Sequence, residues 1–468
     1  MTDEPQEAHV GAEYKAVFTQ GSILRHVLAM TASGSVGLVS VFVVDLLSLL
    51  YVSWLGNPAL TAGVGFASQV TFFAMSANIA LSIAISANVS RALGAGRRPD
   101  AQRLAASGMV HVVLTGLLVS APLFLFRERI LDLLGARGEA HAVASGFLAI
   151  VVPANFLLAS GMSLQGLLRA AGDARRAMYV TLVGALVTAL LDPLLIFGLH
   201  LGVKGAAIST VVSRLVFVAI GSWGAIHIHG LIGRPRRRAI FEDFAPMWAI
   251  AAPATLTNLA TPVANVYAWR VFAGFGEETV AALAIIDRVT PVAFGVLFAM
   301  TGSVGPIIGQ NFGAGLYPRI RRAMTDCFGV ATVYVLSVWL VLWLTSGRIA
   351  DIFHATGRTR DLVAFYCSIG GATWLFLAGL FVANAAFNNL RYPGFATLFN
   401  WGRATLGTIP FVTLGAQLWG AEGGFVGIIV GAALFGAGAV ATSFVVIARL
   451  AERQSGKPGA PSEPPERA

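Results

Sequence analysis

The sequence has few charged residues and few cysteines, and it lacks the motifs of most enzyme classes. Only 12% of its 468 residues are charged, whereas soluble domains carry about 25%. Its two cysteines, Cys327 and Cys367, predict no disulfide, and no histidine is placed to activate either thiol. The sequence contains no metal-ligand cluster, phosphate loop or nucleophile triad. These absences argue against a soluble domain and against an enzyme.

Long apolar runs dominate what is present. Hydrophobic residues make up 56% of the chain, and the mean hydropathy is +0.75. Twelve stretches, the first at about 27–53 and the last at about 422–449, are long enough for the ~20 apolar residues that a membrane-spanning helix needs. Backbone groups in lipid must be hydrogen-bonded within the protein, so stretches this continuous predict helices. We therefore expect an all-α membrane protein with twelve transmembrane helices.

Lysine and arginine are distributed unevenly between the two sides of this topology. Of the 32 such residues, 21 fall on the side of the termini, 7 on the other side and 4 within the spans. The positive-inside rule then predicts that both termini are cytoplasmic. We expect a multi-pass protein of a bacterial-type cytoplasmic (inner) membrane, and its net charge of +9 reflects topology and not a nucleic-acid partner.

An internal repeat divides the chain into two halves of six spans. Because six is even, the halves have the same orientation and form a parallel repeat, as in transporters whose substrate site lies between such repeats. We interpret Gln310 and Asn311 as part of a tight turn at the end of span eight. The repeated stretches, at offsets of 218 to 222, are 93–96 with 312–315, 168–172 with 390–394, and 202–205 with 420–423.

The repeat and the composition together predict five regions. The last of them is rich in Pro, Glu, Ser and Gly and has no core to bury, so we expect it to be disordered. The regions are a cytoplasmic N-terminal segment (1–26), an N-lobe with spans one to six (27–229), a basic cytoplasmic linker (230–245), a C-lobe with spans seven to twelve (246–450) and a disordered cytoplasmic tail (451–468).

Two carboxylates lie inside predicted spans, Asp45 in span one and Asp192 in span five. A charge at membrane depth costs several kcal/mol or more, so it marks a candidate functional site. From the helical rise, both acids and Thr210 lie roughly 10 to 12 Å below the outer surface. Thr188 stacks one turn before Asp192 on the same face, and Pro193 leaves a backbone carbonyl free beside the acid. These oxygens suit a proton or a hard cation such as Na⁺.

The alternative is that both acids only hydrogen-bond neighbouring helices or face a passive vestibule. Ser, Thr and Asn usually serve that purpose, whereas two carboxylates in a poorly solvated pocket are expected to share a proton. The second half carries Asn265 at the place of Asp45 and no acid near Pro410, at the place of Asp192. We therefore predict that the titratable function lies in the N-lobe.

Several stretches resemble the MATE family, the multidrug and toxic compound extrusion transporters. The resemblance implies two six-helix bundles in a V that export organic, often cationic, drugs in exchange for Na⁺ or H⁺. The stretches are VVDLLSLLYVSWLG around Asp45, LQGLLRAAGDARRAMYV at 164–180, LLDPLLIFG around Asp192, GVKGAAISTVVSR at 202–214 and PIIGQNFGAG at 306–315.

The resemblance also implies site residues, and it is closer to DinF-like and archaeal members than to NorM-like ones. The N-lobe cation site of the former falls on Asp45, Asp192 and Thr210, which would be the metal ligands if Na⁺ is the coupling ion. Thr188 stands where the family has an Asn, and Gln165 matches its amide in span four. NorM-like members have acids in spans seven and ten, where this chain offers Thr261 and the Trp374 region. Residues that could line a substrate cavity are Asn258, Asn265, Trp374, Asn384 and Asn388.

We predict an H⁺- or Na⁺-coupled antiporter that exports cationic or amphipathic organic drugs by alternating access. It is expected to act as a monomer in the bilayer, without a cofactor. The alternative within transport is a lipid-linked oligosaccharide or lipid flippase of the same superfamily, which would need several arginines in the central cleft. A membrane-embedded enzyme or a non-transporting scaffold fits less well. The arginines within spans are Arg214, Arg270, Arg288 and Arg403.

Overall fold

The structure is a computed structural model that describes residues 16–455. Within this range the chain is helical and contains no strand. The spans, numbered one to twelve, are Ile23–Ser53, Pro58–Gly94, Arg98–Leu125, the bent pair Gly138–Val151 and Asn155–Ala170, Ala174–Gly198, Val203–Ile228, Phe244–Ala273, Glu277–Gly313, Tyr317–Ile352, Gly357–Asn389, residues 393–418 and residues 421–455.

In the described part of the chain, nine helices are long and apolar enough to cross a membrane, or ten if the bent pair of span four counts as one. The last of the nine, residues 393–455, contains two spans, because the backbone leaves the helical conformation at Trp419 and Gly420. With the bent pair and this division, these helices account for eleven spans. The twelfth is span seven, a helix of 30 residues that contains Pro253 and Pro262.

The ends of the predicted regions differ from the helices in two places. Span one begins at Ile23, inside the predicted N-terminal segment. The last helix continues to Ser455, five residues into the predicted disordered tail, because residues 451–454 are Ala, Glu, Arg and Gln, which are good helix formers. The linker contains the short helix Arg237–Glu242. The rest of the predicted segment and tail, residues 1–15 and 456–468, lies outside the described residues.

The backbone repeats between the two halves with a nearly constant offset. Fifteen described residues have positive φ, a conformation that glycine adopts at no steric cost. Twelve of them form six pairs of equivalent positions in the two halves, which identifies two pseudo-symmetric bundles. The pairs are Gly56 with Gly276, Gly96 with Gly315, Gly135 with His354, Gly138 with Gly357, Gly172 with Arg391, and Gly202 with Gly420.

This register corrects one of the predicted matches. Gly172 pairs with Arg391 and not with Gly394, so residues 168–172 correspond to 387–391. The predicted match was wrong because it relied on similar residues. The register between the halves is instead determined by the turns that precede spans five and eleven. Span five begins at Ala174 and span eleven at Pro393, and the positive φ lies two residues before each start.

The two lobes meet through glycines of the repeated motif. A Cβ atom at Gly94 would lie 1.9 Å from the Gln310 backbone oxygen, and one at Gly313 would lie 2.0 Å from the Arg91 oxygen. Arg91 and Gly94 are the repeat equivalents of Gln310 and Gly313, so the contact is two-fold symmetric. Gln454 lies against Gly315, so this contact is on the side where the described chain begins and ends. We call it the terminal side.

Gln310 and Asn311 are not part of a turn, as predicted, but of the helix, which continues to Gly313. Gln310 Oε1 accepts a hydrogen bond from the Phe18 backbone N at 2.9 Å, and its Nε2 donates to the Ala170 oxygen at 2.7 Å. Asn311 Nδ2 donates to the Phe18 oxygen at 3.1 Å. These side chains therefore tie span eight to the start of the chain and to the end of span four.

The lobes diverge away from the terminal side. Among the described residues, the interlobe hydrogen bond farthest from that side joins Asn258 Nδ2 to the Ser76 oxygen at 3.1 Å, halfway along spans seven and two. Beyond this level no such bond joins residues 16–455 of the two lobes. The molecule is an all-α membrane protein of two six-helix bundles in a V, as predicted from the sequence.

Candidate cation site and substrate cleft

Asp192 lies where span five changes its helical geometry. Pro193 follows it directly, and the next residues, Leu194–Gly198, form a π-helical turn. Proline has no N–H to donate to the preceding turn, and π-helical turns are frequent at functional sites. The helix is therefore wider directly after the acid, at the proline that the sequence analysis singled out.

The carboxyl group of Asp192 is buried between spans one, five and six. Its residue is 1% exposed, and its Oδ2 accepts a hydrogen bond from Ser48 Oγ. Ser209 lies close enough for its hydroxyl to interact with the carboxylate, yet Asp192 Oδ1 and Ser209 Oγ form no well-aligned hydrogen bond with each other or with other described atoms. A buried polar group left unpaired costs about 1–3 kcal/mol. Two such oxygens side by side mark a position for a proton or a cation.

Asp45 lies beside this buried group but in a different environment. It is exposed, accepts no hydrogen bond from the described residues, and is close enough to Asp192 for their charges to interact. Ser48, one turn further along span one, is on a neighbouring face. The structure thus brings the two predicted acids together, with one carboxylate buried and the other open.

The two predicted threonines bond their own helices. Thr188 Oγ1 donates to the Gly184 oxygen at 3.2 Å, and Thr210 Oγ1 donates to the Ala206 oxygen at 2.9 Å. Neither hydroxyl bonds either carboxylate. The hydroxyls next to Asp192 belong instead to Ser48 and Ser209. Ser48 is three residues after Asp45, and Ser209 directly precedes Thr210. This closeness in sequence to two predicted site residues is the signal that could have identified them.

Gln165 does not join the acids. Its Nε2 donates to the Ala177 oxygen at 2.9 Å and to Thr181 Oγ1 at 3.4 Å, and its Oε1 accepts from Arg169. Thr181 is eleven residues before Asp192 in the same helix, which corresponds to about 16 Å. Gln165 therefore belongs to the packing of the terminal half of the N-lobe.

The asparagines predicted to line a cavity have separate surroundings. Asn265, the equivalent of Asp45, is exposed, and Asn258 bridges the lobes as described above. Asn384 is buried and accepts from Asn400 Nδ2 at 3.0 Å. Asn388 is buried, with its amide oxygen unpaired. The last two are therefore packed inside the C-lobe and do not line the open cleft.

Trp374 belongs to a group of aromatic and polar side chains in the C-lobe. Its ring stacks on Phe294 with centroids 4.8 Å apart, and its Nε1 donates to Tyr366 Oη at 3.3 Å. Asp287 interacts electrostatically with Tyr366 and accepts a hydrogen bond from Trp269 Nε1 at 3.0 Å. Asp287 is exposed. The C-lobe therefore presents an exposed acid beside Trp269 and Tyr366.

Two of the four arginines within spans are bonded inside their own lobes. Arg214 is buried and donates to the Val151 oxygen at 2.7 Å, inside the N-lobe. Arg403 is buried and donates to Thr261 Oγ1 at 3.0 Å, inside the C-lobe. Arg270 and Arg288 are exposed.

An ionic cluster joins two helix ends outside the bilayer on the terminal side of the N-lobe. Asp173 caps span five by accepting from the Arg176 backbone N at 3.0 Å, and it also contacts Arg176 Nη1 at 2.5 Å and His229 Nε2 at 2.8 Å. Burial acts to raise the pKa of Asp173, but the hydrogen bonds from His229 and Arg176 outweigh it and hold the pKa well below its usual range. The cluster therefore stabilises the ionised carboxylate.

Comparison with known proteins agrees with this architecture. The MatE family profile matches residues 35–194 and 253–414. An FAD transporter of Shewanella oneidensis is 27% identical over 409 residues, which cover 85% of this chain and 89% of that protein. The probable multidrug resistance protein NorM of Thermotoga maritima is 23% identical over 328 residues, which cover 68% and 69%.

Solved structures give the same fold. A mutant of the Vibrio cholerae MATE transporter VcmN has a TM-score of 0.85 at 24% identity and covers 92% of this chain and 97% of that chain. A MOP superfamily transporter from Pyrococcus furiosus has a TM-score of 0.86 at 18% identity, with coverages of 93% and 98%. The family profile matches both halves, and the chain belongs to the MATE family of membrane transporters.

Proposed function

We propose that the protein is an antiporter that exports small cationic or amphipathic organic compounds by alternating access between its lobes. Export is coupled to a cation that binds at Asp45 and Asp192. The observation that carries the proposal is the buried Asp192 with an unpaired Oδ1 next to an unpaired Ser209 Oγ. Relatives described as multidrug export proteins, such as MepA of Staphylococcus aureus at 22% identity, support the substrate class.

The coupling ion that fits these atoms best is a proton, with Na⁺ as the alternative. One proton on Asp192 Oδ1 would donate to Ser209 Oγ and give both unpaired oxygens a partner. Hard cations such as Ca²⁺ and Mg²⁺ take about six or more oxygen ligands. Neither Thr188 nor Thr210 forms a hydrogen bond with the carboxylates, since each donates to a carbonyl of its own helix, so few oxygens are seen at Asp192 for such coordination.

The proposed cycle follows from differential affinity. The lobes meet on the terminal side, which we assign to the cytoplasm, and diverge on the other side. Cation binding to the two acids from the open side favours release of the exported compound there. Loss of the cation to the cytoplasm then resets the carrier. A cation drives such an exchange only if its affinities for the two states differ.

Substrate contact is proposed for the C-lobe. Asp287 supplies a negative charge, and Trp269, Tyr366 and Trp374 supply aromatic rings within the same connected group. A flat organic cation can use both features, since a cation over an aromatic ring gains about 0.5–2 kcal/mol. This separates drug contact in one lobe from cation binding in the other.

A second candidate is the export of an anionic dinucleotide, because the Shewanella oneidensis relative is described as an FAD transporter. The exposed Arg270 and Arg288 favour this candidate, since arginine pairs well with phosphate. A flippase with a cleft lined by several arginines is not supported, because Arg214 and Arg403 bond inside their own lobes.

The test is flux into proteoliposomes under pH and Na⁺ gradients imposed separately, with a fluorescent organic cation and with FAD as substrates. We expect the organic cation to move only with the pH gradient. Asp45→Asn should abolish this flux without a change in thermal stability. Asp361→Asn, which alters an exposed acid near the start of span ten, serves as the matched control.

Each other result has a definite meaning. Wild-type flux in the Asp45→Asn protein would remove Asp45 from the cation site. Flux driven by Na⁺ alone would replace the proton with sodium. Flux of FAD without flux of the organic cation would favour the second candidate.

A further inference from the structure

Spans one and eight run antiparallel and touch in the terminal half of the bilayer. A Cβ atom at Gly34 would lie 3.5 Å from Ala299 Cβ and 3.4 Å from Ser303 Oγ. Halfway along both helices, Gly295 faces the ring of Phe42. This contact fixes which faces of the two helices point at each other and which residues lie at the same level.

The same two faces can be followed toward the open side. Asp45 is eleven residues after Gly34 in span one, and Arg288 is eleven residues before Ala299 in span eight. At about 100° per residue, a step of eleven residues returns to within about 20° of the same face and covers about 16 Å. Because the helices are antiparallel, Asp45 and Arg288 lie on the facing surfaces, and the contacts of Gly34 with Ser303 and of Phe42 with Gly295 place Arg288 within about one helical turn of Asp45.

These parts of the two faces are uncovered in the present conformation. Asp45 and Arg288 are exposed, Leu49 is 37% exposed and Val292 is 77% exposed. Within the described part of the chain, neither charge has a hydrogen bond or an ion pair. Two opposite charges at membrane depth are therefore unpaired, although such charges are almost always paired.

The neighbouring charges have other positions or partners. Asp287 points about 100° away from Arg288 on the helix and accepts from Trp269. Asp192 on span five bonds Ser48, and Arg270 lies on span seven. Arg288 is thus the cation on the surface of span eight that faces Asp45.

We propose that Arg288 is the counterion of Asp45 when the lobes close on the open side. Closure extends the contact between spans one and eight beyond Phe42 and Gly295 by about one to two turns and brings the guanidinium to the carboxylate, a geometry that permits two parallel hydrogen bonds. A cation on Asp45 competes with Arg288. Arg288 is then a positioning residue that links loss of the cation to closure. This inference rests on the proposed alternating access.

The test measures closure and not transport. Spin labels on cysteines at Leu49 and Ala284, with Cys327 and Cys367 replaced by alanine, report the separation of the two uncovered faces. Pulsed electron–electron resonance on the wild-type background should show a short-distance population. Arg288→Gln should lower that population about fivefold or more, within the range of measured coupling between sites.

Three variants serve as controls. Arg270→Gln should leave the short-distance population unchanged, and Arg288→Lys should retain most of it, which shows that the loss in Arg288→Gln is not misfolding. The exchanged pair Asp45→Arg with Arg288→Asp should restore the population while coupled flux stays absent.

The outcomes separate the two proposals. No short-distance population in the wild type would overturn alternating access and the ion pair together. A normal population in Arg288→Gln, or an equal loss in Arg270→Gln, would overturn the ion pair and leave the proposed exchange intact.

Discussion

The two lobes share a backbone but not their chemistry. Gly94 and Gly313 occupy equivalent positions and make equivalent contacts, because both lobes need close approach at the same place. Asp45 and Asn265 are also equivalent and both exposed, yet only the first carries a charge. The buried acid Asp192 has no acidic counterpart near Pro410. The repeat therefore preserves the geometry of turns and contacts, while the candidate cation chemistry is present in one lobe alone.

The C-lobe has its own acid, but in a different helix and setting. Asp287 is in span eight and is bonded to Trp269, whereas Asp192 is bonded to a serine and buried. An acid among aromatic rings suits an organic cation, and an acid among hydroxyls suits a proton or a small ion. The difference between the lobes suggests a division of labour that mutation can test.

The largest effect is expected from exchanging each acid for its amide. Asp192→Asn should abolish gradient-driven flux, because the amide keeps the volume and loses the titratable oxygen. Asp287→Asn should keep the response to the gradient and raise the KM for an organic cation about tenfold, the value of a hydrogen bond or contact to a charged group. Flux against substrate concentration in proteoliposomes separates the two outcomes.

The variants Asp192→Asn and Asp287→Asn can also contradict the proposed difference between the lobes. If Asp287→Asn also removes the response to the gradient, cation coupling is not confined to the N-lobe. If Asp192→Asn changes only KM, the buried acid binds substrate and does not couple. Thermal unfolding of both purified variants should resemble that of the wild type.

A smaller effect is expected within the N-lobe, where serine and threonine have different roles. Ser48→Ala leaves Asp192 Oδ2 without its donor, and a hydrogen bond to a charged group contributes about 1.5–3 kcal/mol. The coupling-ion concentration for half-maximal flux should therefore shift about tenfold or more. Thr188→Ala should change it less than about threefold, since its hydroxyl bonds the Gly184 oxygen. Equal shifts in both variants would return Thr188 to the site.

Sequence patterns predicted the features that are determined by position along the chain, namely the spans and the charged residues within them. The apolar runs located the spans, and the costly charges located Asp45 and Asp192. Helical rise gave the depth of Thr210, and the four-residue spacing put Thr188 on the same helical face as Asp192. Neither shows which face of a neighbouring span packs against the acid, and for this reason Ser48 and Ser209 were missed.

The repeat shows a related limit. Residues 168–172 and 390–394 resemble each other in letters, but the turns place Gly172 opposite Arg391. Backbone conformation decides that register, and a non-glycine residue at positive φ hides it from the sequence. Gln310 was predicted in a turn because glycines surround it, whereas its contacts with Phe18 and Ala170 involve distant parts of the chain.

The smallest effect is expected at Asp173, an ionic feature that the C-lobe lacks, since its equivalent is Tyr392. Asp173→Asn weakens the contacts with Arg176 and His229 and should cost about 1 kcal/mol, or a fall in Tm of about 1 °C for a chain of this length. The pKa of Asp173 is lowered in the folded protein, so its stabilising contribution is complete above the unfolded pKa of about 4 and is lost as pH falls below it. The Tm difference between wild type and Asp173→Asn should therefore be full at pH 5 and shrink toward pH 3. Tyr392→Phe removes no carboxylate, so its Tm difference should not change over this interval; a parallel change in both variants would assign the effect to the whole fold.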